Sequence, residues 1–208
     1  MAEVNVAVIY YSATGSVYRL ALAAAEAGDK AGGEVRLRKV RELAPDEAIM
    51  SNEGWSAHVA ETQNVPEATL DDVGWADVVL FGSPTRFGLP AAQLKQFLDT
   101  LGPLWAQGKL ANKIYSAFTS AGTAHGGQES TILAMANTFY HFGGIIVPPG
   151  YVDAVQFQSG NPYGTSHISA NGANPPGDLE LAAMRFQATR ATEIGAAFKR
   201  GMALVAQT

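Results

Sequence analysis

The chain reads as a doubly wound α/β fold, a five-stranded parallel sheet with helices on both faces. Three observations predict this. Short, nearly continuous β-prone runs recur along the chain, as in strands covered on both sides. Each run leads into a stretch with helical apolar spacing, so strand and helix alternate five times, which implies βαβ units. No repeat or linker divides the 208 residues, so residues 1–208 are expected to form a single domain.

Val4 to Tyr11 (VNVAVIYY) is the first strand, broken by Ser12-Ala13-Thr14-Gly15. Val17, Leu20, Ala21 and Ala24 then recur at helical spacing until Gly32-Gly33 stops the pattern. Glu34 to Val40 alternates as a second strand does, and residues 42–68 are polar and irregular, a loop with weak helix. Ala76 to Phe81 is the third strand, ended by Gly82-Ser83-Pro84, and Leu94, Phe97, Leu98 and Leu101 form one stripe of the next helix. Lys113 to Thr119 is the fourth strand. A glycine-rich loop, Ser120 to Gly127, a helix to about Phe142 and a fifth strand, Gly144 to Val147, follow. Residues 148–177, rich in Gly, Pro, Asn and Ser, are a long excursion. The last helix carries Met184, Ala188, Ala191, Phe198, Met202 and Val205 on one face. Right-handed crossovers with an early reversal of strand order leave few topologies, the flavodoxin-like one among them.

Composition removes several function classes. The chain has no cysteine, which excludes disulfides, zinc–thiolate sites, iron–sulfur clusters and thiol catalysis. A formal charge of −5, with 14 basic residues in no dense cluster, argues against a nucleic-acid surface. The amino-terminal stretch MAEVNVAVIYYSATG lacks the basic and apolar regions of a signal peptide, and no apolar run approaches the roughly 20 residues of a membrane span. A soluble cytoplasmic protein without membrane insertion is expected. His58, His125, His141 and His167 are scattered without ligand spacing, so no metal site is expected, and no Gly-x-Ser-x-Gly elbow is present.

Ligands of open parallel sheets bind outside the carboxyl ends of the strands, where strand order reverses. The loops after strands one, three and four all lie at that edge, and all are unusual. Loop one, Ser12-Ala13-Thr14-Gly15-Ser16-Val17, offers three hydroxyls and backbone amides at a helix N-terminus, a setting for a phosphate. It lacks a lysine and matches neither the Walker nor the dinucleotide fingerprint, so a monophosphate fits better than a triphosphate or pyrophosphate. Read alone, it serves equally well as a helix cap. Loop two, Ser83 to Pro90, sets Pro84, Thr85, Arg86, Phe87 and Gly88 at a strand end, offering a flat face and a fixed donor; an exposed Arg-Phe pair is also common in a solvated loop. Loop three, Thr119 to Glu129, combines hydroxyls with Gly122, Gly126 and Gly127, letting backbone approach a planar ligand, or it is a flexible turn.

The motifs YYSATG, GSPTRFG, LGPLWAQGKL, SAGTAHGGQEST, YHFGGIIVPPGY and NPYG run nearly end to end. With them the chain resembles the WrbA family of flavodoxin-like NAD(P)H:quinone oxidoreductases. The resemblance implies a homotetramer binding flavin mononucleotide (FMN) without a covalent link. It puts Ser12, Ala13, Thr14, Gly15, Ser16 and Val17 at the phosphate, and Thr85, Arg86 and Phe87, with Pro84 and Gly88 beside them, at the isoalloxazine. Ser120, Ala121, Gly122, Thr123 and Gly126 would bracket its polar edge. His141 would sit at the flavin, with a catalytic part as a hydrogen-bond donor or proton carrier. Trp105, Phe87 and Thr14 would meet the substrates, NADH or NADPH as electron donor and a quinone, in ping-pong two-electron turnover. The 148–177 excursion is then expected to be an oligomer contact. The chain departs from the family in three places: Thr14 stands where many relatives have an aromatic, Ala124-His125 where a glycine is usual, and Phe142 where some have a second histidine. Without the family, His141 reads as packed or capping and Trp105 as core or interface. The rival function is an electron-carrier flavodoxin, which the mild net charge and Trp105 disfavour.

Overall fold

A computed structural model describes residues 4–205; the first three and last three residues of the single domain expected over 1–208, and with them the start of the amino-terminal stretch, lie outside the described residues. In chain order the elements are β1 (Val4–Tyr10), α1 (Ser16–Lys30), β2 (Gly33–Lys39), α2 (Asp46–Met50), α3 (Glu53–Glu61) and α4 (Leu70–Trp75). Then come β3 (Val78–Arg86), β4 (Leu89–Pro90), α5 (Ala92–Asp99), α6 (Gly102–Ala106), β5 (Ile114–Ala121) and α7 (Gln128–His141). The chain closes with β6 (Ile145–Ile146), α8 (Ala154–Ser159), β7 (Ser166–Ile168), a 3-10 turn (Ala170–Gly172) and α9 (Asp178–Val205).

The sheet order is β2-β1-β3-β5-β6, all parallel, with β4 added antiparallel to β3 and β7 parallel to β5. The chain steps from β1 outward to β2 and then back across β1 to β3, which makes the β1/β3 boundary the switch point. Alternation along the strands divides the core in two. Ala7, Ile9, Val79, Phe81, Tyr115 and Ala117 face Leu94, Phe97, Leu98, Ile132, Met135 and Phe139 of α5 and α7. Val6, Val8, Tyr10, Val78, Leu80, Ile114 and Phe118 face Val17, Leu20, Ala21 and Ala24 of α1 and Met184, Ala188 and Ala191 of α9. Burying a Leu- or Ile-sized side chain contributes about 1.5–3 kcal/mol, so these two layers supply the main driving force.

Several boundaries differ from those the sequence predicts. Gly82-Ser83-Pro84 does not end the third strand: β3 continues to Arg86, its Gly82, Ser83 and Pro84 paired with Phe118, Thr119 and Ser120. Gly82 is there for packing, since a Cβ on it would run into the Phe118 ring. Residues 42–68, expected as a loop with weak helix, hold two short helices, α2 and α3, and α4 follows them with a capping box between Thr69 and Asp72. The stripe on the last helix is buried at Met184, Ala188 and Ala191 and half-buried at Phe198, while Met202 and Val205 are exposed.

The fifth strand is split. β6 pairs with Ile114 and Tyr115 at the start of β5, whereas β7 pairs with Thr119, Ser120 and Ala121 at its end. Most of the excursion fills the interval, so it is not a simple loop: it carries α8 and brings β7 back to the sheet. The backbone left unpaired at the break is served by Gln187 of α9, which is fully buried. Its amide nitrogen donates to Ala117 O and Ser116 Oγ, each at 2.8 Å, and its oxygen accepts from Thr165 N at 2.7 Å. No helix among the described residues is long and apolar enough to cross a membrane.

Gln187→Leu keeps the volume but orphans the Thr165 amide and the Ala117 carbonyl. At about 1–3 kcal/mol for each buried unpaired group, a loss of about 2–4 kcal/mol is expected. Urea denaturation should show a lower midpoint with an unchanged slope.

Candidate functional site

Loop one leaves β1 at the switch point and turns directly into α1. Gly15 is the N-cap residue, in the left-handed region at φ 92°, and no side chain caps the helix. The Ser12 hydroxyl instead accepts from Gly15 N at 3.1 Å and closes the loop on itself. The hydroxyls are therefore not used for capping. The first-turn amides, at the positive end of the helix dipole, have no side-chain partner and stand at a cavity lined by Ser12, Ala13, Thr14, Ser16 and Val17. Behind the loop, His58 Nδ1 lies within 3.5 Å of where a Cβ on Gly15 would be. Burial pushes the His58 pKa below its ordinary value against the pull of Glu61 at 3.3 Å, so the ring is neutral at pH 7.

Loop two is a hairpin. Thr85 pairs with Pro90 and Arg86 with Leu89, leaving Phe87 and Gly88 at the tip with φ of 53° and 80°. Positive φ at both central residues is the type I′ geometry, which favours Asn-Gly; a phenylalanine there costs about 1–2 kcal/mol. Its ring is wholly exposed, at 104%. The hairpin is locked to the start of α7. Thr131 Oγ1 donates to Thr85 Oγ1 at 2.6 Å, and a Cβ on Gly127 would come within 2.8 Å of Gly88 Cα.

Loop three begins as β5 ends. Gln128 Nε2 donates to Thr123 O at 2.7 Å and Gly126 N to the same oxygen at 3.2 Å, which folds the loop tightly against α7. Ser120 Oγ is buried with no hydrogen-bond partner among the described residues, yet Ser120 lines the cavity, so a buried hydroxyl is left to serve a ligand.

Pro84, Thr85, Arg86, Ser120, Ala121 and Gly122 complete the expected lining of a cavity of about 290 Å³. Gly15, Phe87, Gly88, Thr123 and Gly126 adjoin these residues in the three loops but do not line it. Four further residues do: Asn52, Trp55, Ser169 and Asn171. Ser169 is tied to the end of β5 by its amide, which donates to Ala121 O at 2.8 Å, and Asn171 Oδ1 crowds Gly122. The excursion thus returns to wall the cavity. The signals in the sequence for these four are faint: Asn171-Gly172 is a turn signal within the excursion, and Asn52 is a helix cap three residues before a tryptophan.

Trp105 and His141 are brought together elsewhere. Trp105 Nε1 donates to His141 O at 3.0 Å, and both line a second cavity with Lys95, Leu98 and Asn137. His141 ends α7, whose first residue follows loop three; 14 residues at 1.5 Å rise put it about 20 Å along the helix.

The first cavity suits a monophosphate joined to a planar ring. It offers an uncapped helix N-terminus and hydroxyls for the phosphate, the buried Ser120 hydroxyl without a partner among the described residues, an aromatic wall and one positive charge, Arg86. FMN has that chemistry, and the residues fit it.

Comparisons with known proteins agree. The family model for NADPH-dependent FMN reductase matches residues 4–158. The chain is 48% identical over 196 residues to a protein of Deinococcus radiodurans named NAD(P)H dehydrogenase (quinone), covering 94% of this chain and 97% of that one. A protein of the same name from Sinorhizobium fredii is 41% identical, covering 92% and 97%. Among solved structures, a WrbA-like flavodoxin from Agrobacterium tumefaciens superposes with a TM-score of 0.66 at 22% identity, covering 93% of this chain and 98% of that one. The fold is flavodoxin-like, and the chain belongs to the NADPH-dependent FMN reductase family.

Proposed function

We propose that this chain, as a single domain, is an FMN-dependent NAD(P)H:quinone oxidoreductase of the cytoplasm that works as a homotetramer. The observation that carries the reading is the uncapped N-terminus of α1 opening on a cavity built by the three loops at the switch point. The names of the relatives supply the donor and the acceptor class.

FMN held there supplies two-electron redox chemistry, alternating between NAD(P)H and a quinone. The chain's own residues bind and orient. Ser12 to Val17 hold the phosphate by backbone amides and hydroxyls, with no lysine, so the grip is directional rather than a bulk charge attraction. Ser120, whose buried hydroxyl has no partner among the described residues, and the amides of loop three would hold the polar edge of the ring. Thr85, Arg86 and Phe87 border the ring, and Thr14 and Phe87 meet the incoming substrate. Trp105 and His141, at the far end of α7, reach a flavin only from a neighbouring copy of the chain, which ties their proposed roles to the tetramer. Exposed Tyr151, Val152, Phe157 and Tyr163 on the excursion are an apolar surface of the kind an oligomer covers.

Purified protein titrated with FMN should turn yellow with saturation near one flavin per chain and oxidise NADH or NADPH with benzoquinone in steady state; a carrier would bind flavin but turn over almost nothing. Gly15→Asp forces a side chain into the left-handed region and sets a carboxylate against the phosphate. Its FMN dissociation constant is expected to rise about 10- to 100-fold, while riboflavin, which has no phosphate, changes far less. Phe87→Asn relieves the hairpin strain and should stabilise the fold by about 0.5–1 kcal/mol in denaturant, at the expense of turnover. Trp105→Ala should alter NADH or quinone kinetics more than flavin content; a change in stability alone would return Trp105 to a packing role.

A further inference from the structure

The segment after β2 builds a carboxylate hub beside the cavity. Glu42 accepts five hydrogen bonds: on Oε2 from the Tyr11 hydroxyl at 3.0 Å and Trp55 Nε1 at 3.1 Å, and on Oε1 from Gln93 Nε2 at 2.7 Å, Leu43 N at 2.8 Å and Ala44 N at 3.0 Å. Gln93 also donates to the Tyr11 hydroxyl at 3.0 Å. These partners come from three directions. Tyr11 directly precedes loop one, Gln93 lies three residues after the hairpin of loop two, and Trp55 itself lines the cavity. Burial pushes the Glu42 carboxyl up, but the Ala44 and Leu43 amides, Gln93 and Tyr11 outweigh it and hold the carboxyl below the usual range, so the hub is ionised at neutral pH.

Trp55 is fixed more firmly than cavity lining requires. Its backbone amide donates to the Asn52 side chain at 3.0 Å, its indole N–H is taken by Glu42, and its body packs against the core layer of α5 and α7. An indole whose N–H is satisfied away from the ligand keeps its apolar surface for contact, and a ring with one orientation loses little entropy when another ring meets it. We propose that Trp55 contacts the planar ring of a molecule bound in this cavity, either the flavin or the nicotinamide or quinone that meets it, and that Glu42 is the positioning residue that sets the indole. The inference rests on the FMN reading above and adds a fourth wall to it.

The test begins with FMN and riboflavin titrations of the unaltered protein. Failure to saturate there overturns the FMN reading, and this inference with it. Given saturation, Trp55→Ala is expected to act in one of two ways. Contact with the flavin weakens FMN and riboflavin by the same factor, up to about tenfold, because the ring and not the phosphate is affected. Contact with the incoming ring leaves both constants alone and raises KM for NADH or benzoquinone by a similar factor. Trp55→Phe, which keeps an aromatic face, should recover most of either loss and guards against misfolding as the cause. Glu42→Gln replaces one accepting oxygen with a donor, so it should reproduce part of the same loss and shift the emission of Trp55, read against a Trp75→Phe/Trp105→Phe background. Unchanged binding and KM in Trp55→Ala overturn the proposal, as does a loss confined to FMN with riboflavin spared, which would mark a disturbed phosphate loop instead.

Discussion

The arrangement depends on the positive end of α1 being left without a cap at the point where strand order reverses. A helix normally satisfies its first amides with its own preceding side chains. Here the residue in the capping position is glycine, and the one nearby hydroxyl that bonds to the loop, that of Ser12, turns inward to Gly15. Such a terminus is tolerable only where something else meets the amides. The sheet ensures that this happens at one place, because β1 and β3 diverge there and leave a crevice no crossover covers.

The same constraint governs how the other loops reach that crevice. β3 runs five residues and β5 two residues further than their turn signals suggest, because Gly82 lets the Phe118 ring lie against the backbone and the ladder continues through Pro84 and Ser120. That extension carries Thr85 and Ser120 to the cavity on rigid strand rather than on loop. The break in the fifth strand has a related consequence. By leaving the sheet after β6 and rejoining at β7, the chain gains a segment that ends at Ser169 and Asn171, over the third loop. Gln187 makes the detour tolerable by pairing the backbone that the gap exposes.

Most of the fold is legible because it rests on signals that survive in a single sequence. The continuous apolar runs of β1, β3 and β5 and the helical stripe through Leu94, Phe97, Leu98 and Leu101 depend only on burial, and burial writes itself into residue type. The three loops are legible for the same reason: hydroxyls, glycines and an arginine at strand ends are odd against that background. What is hidden depends on contacts distant in sequence. Asn52 and Trp55 sit in a polar stretch whose helices are short and take their order from Glu42, Tyr11 and Gln93, up to 82 residues apart. Asn171 gains its place only because β7 returns to β5. His141 and Trp105 illustrate the opposite limit. Their motif is plain in the sequence, yet one folded chain sets them together at the far end of α7, lining a second cavity apart from the three loops.

Several of the chain's departures from local rules sit beside the candidate site. Phe87, Ala170 and Asn171 are non-glycine residues at positive φ, Ser120 is a buried hydroxyl without a partner among the described residues, and both α1 and α7 begin at glycines with no side-chain cap. Each departure costs stability. These lie in or beside the loops that build one cavity, whereas Asn112, also at positive φ, and the buried Tyr10 and Thr165 hydroxyls, also without a hydrogen-bond partner among the described residues, do not line it. The departures beside the cavity give up stability for what that edge of the sheet does. The strain at Phe87 is the sharpest instance, because asparagine or glycine would relieve it in a single substitution and neither would present an aromatic face to solvent beside Arg86.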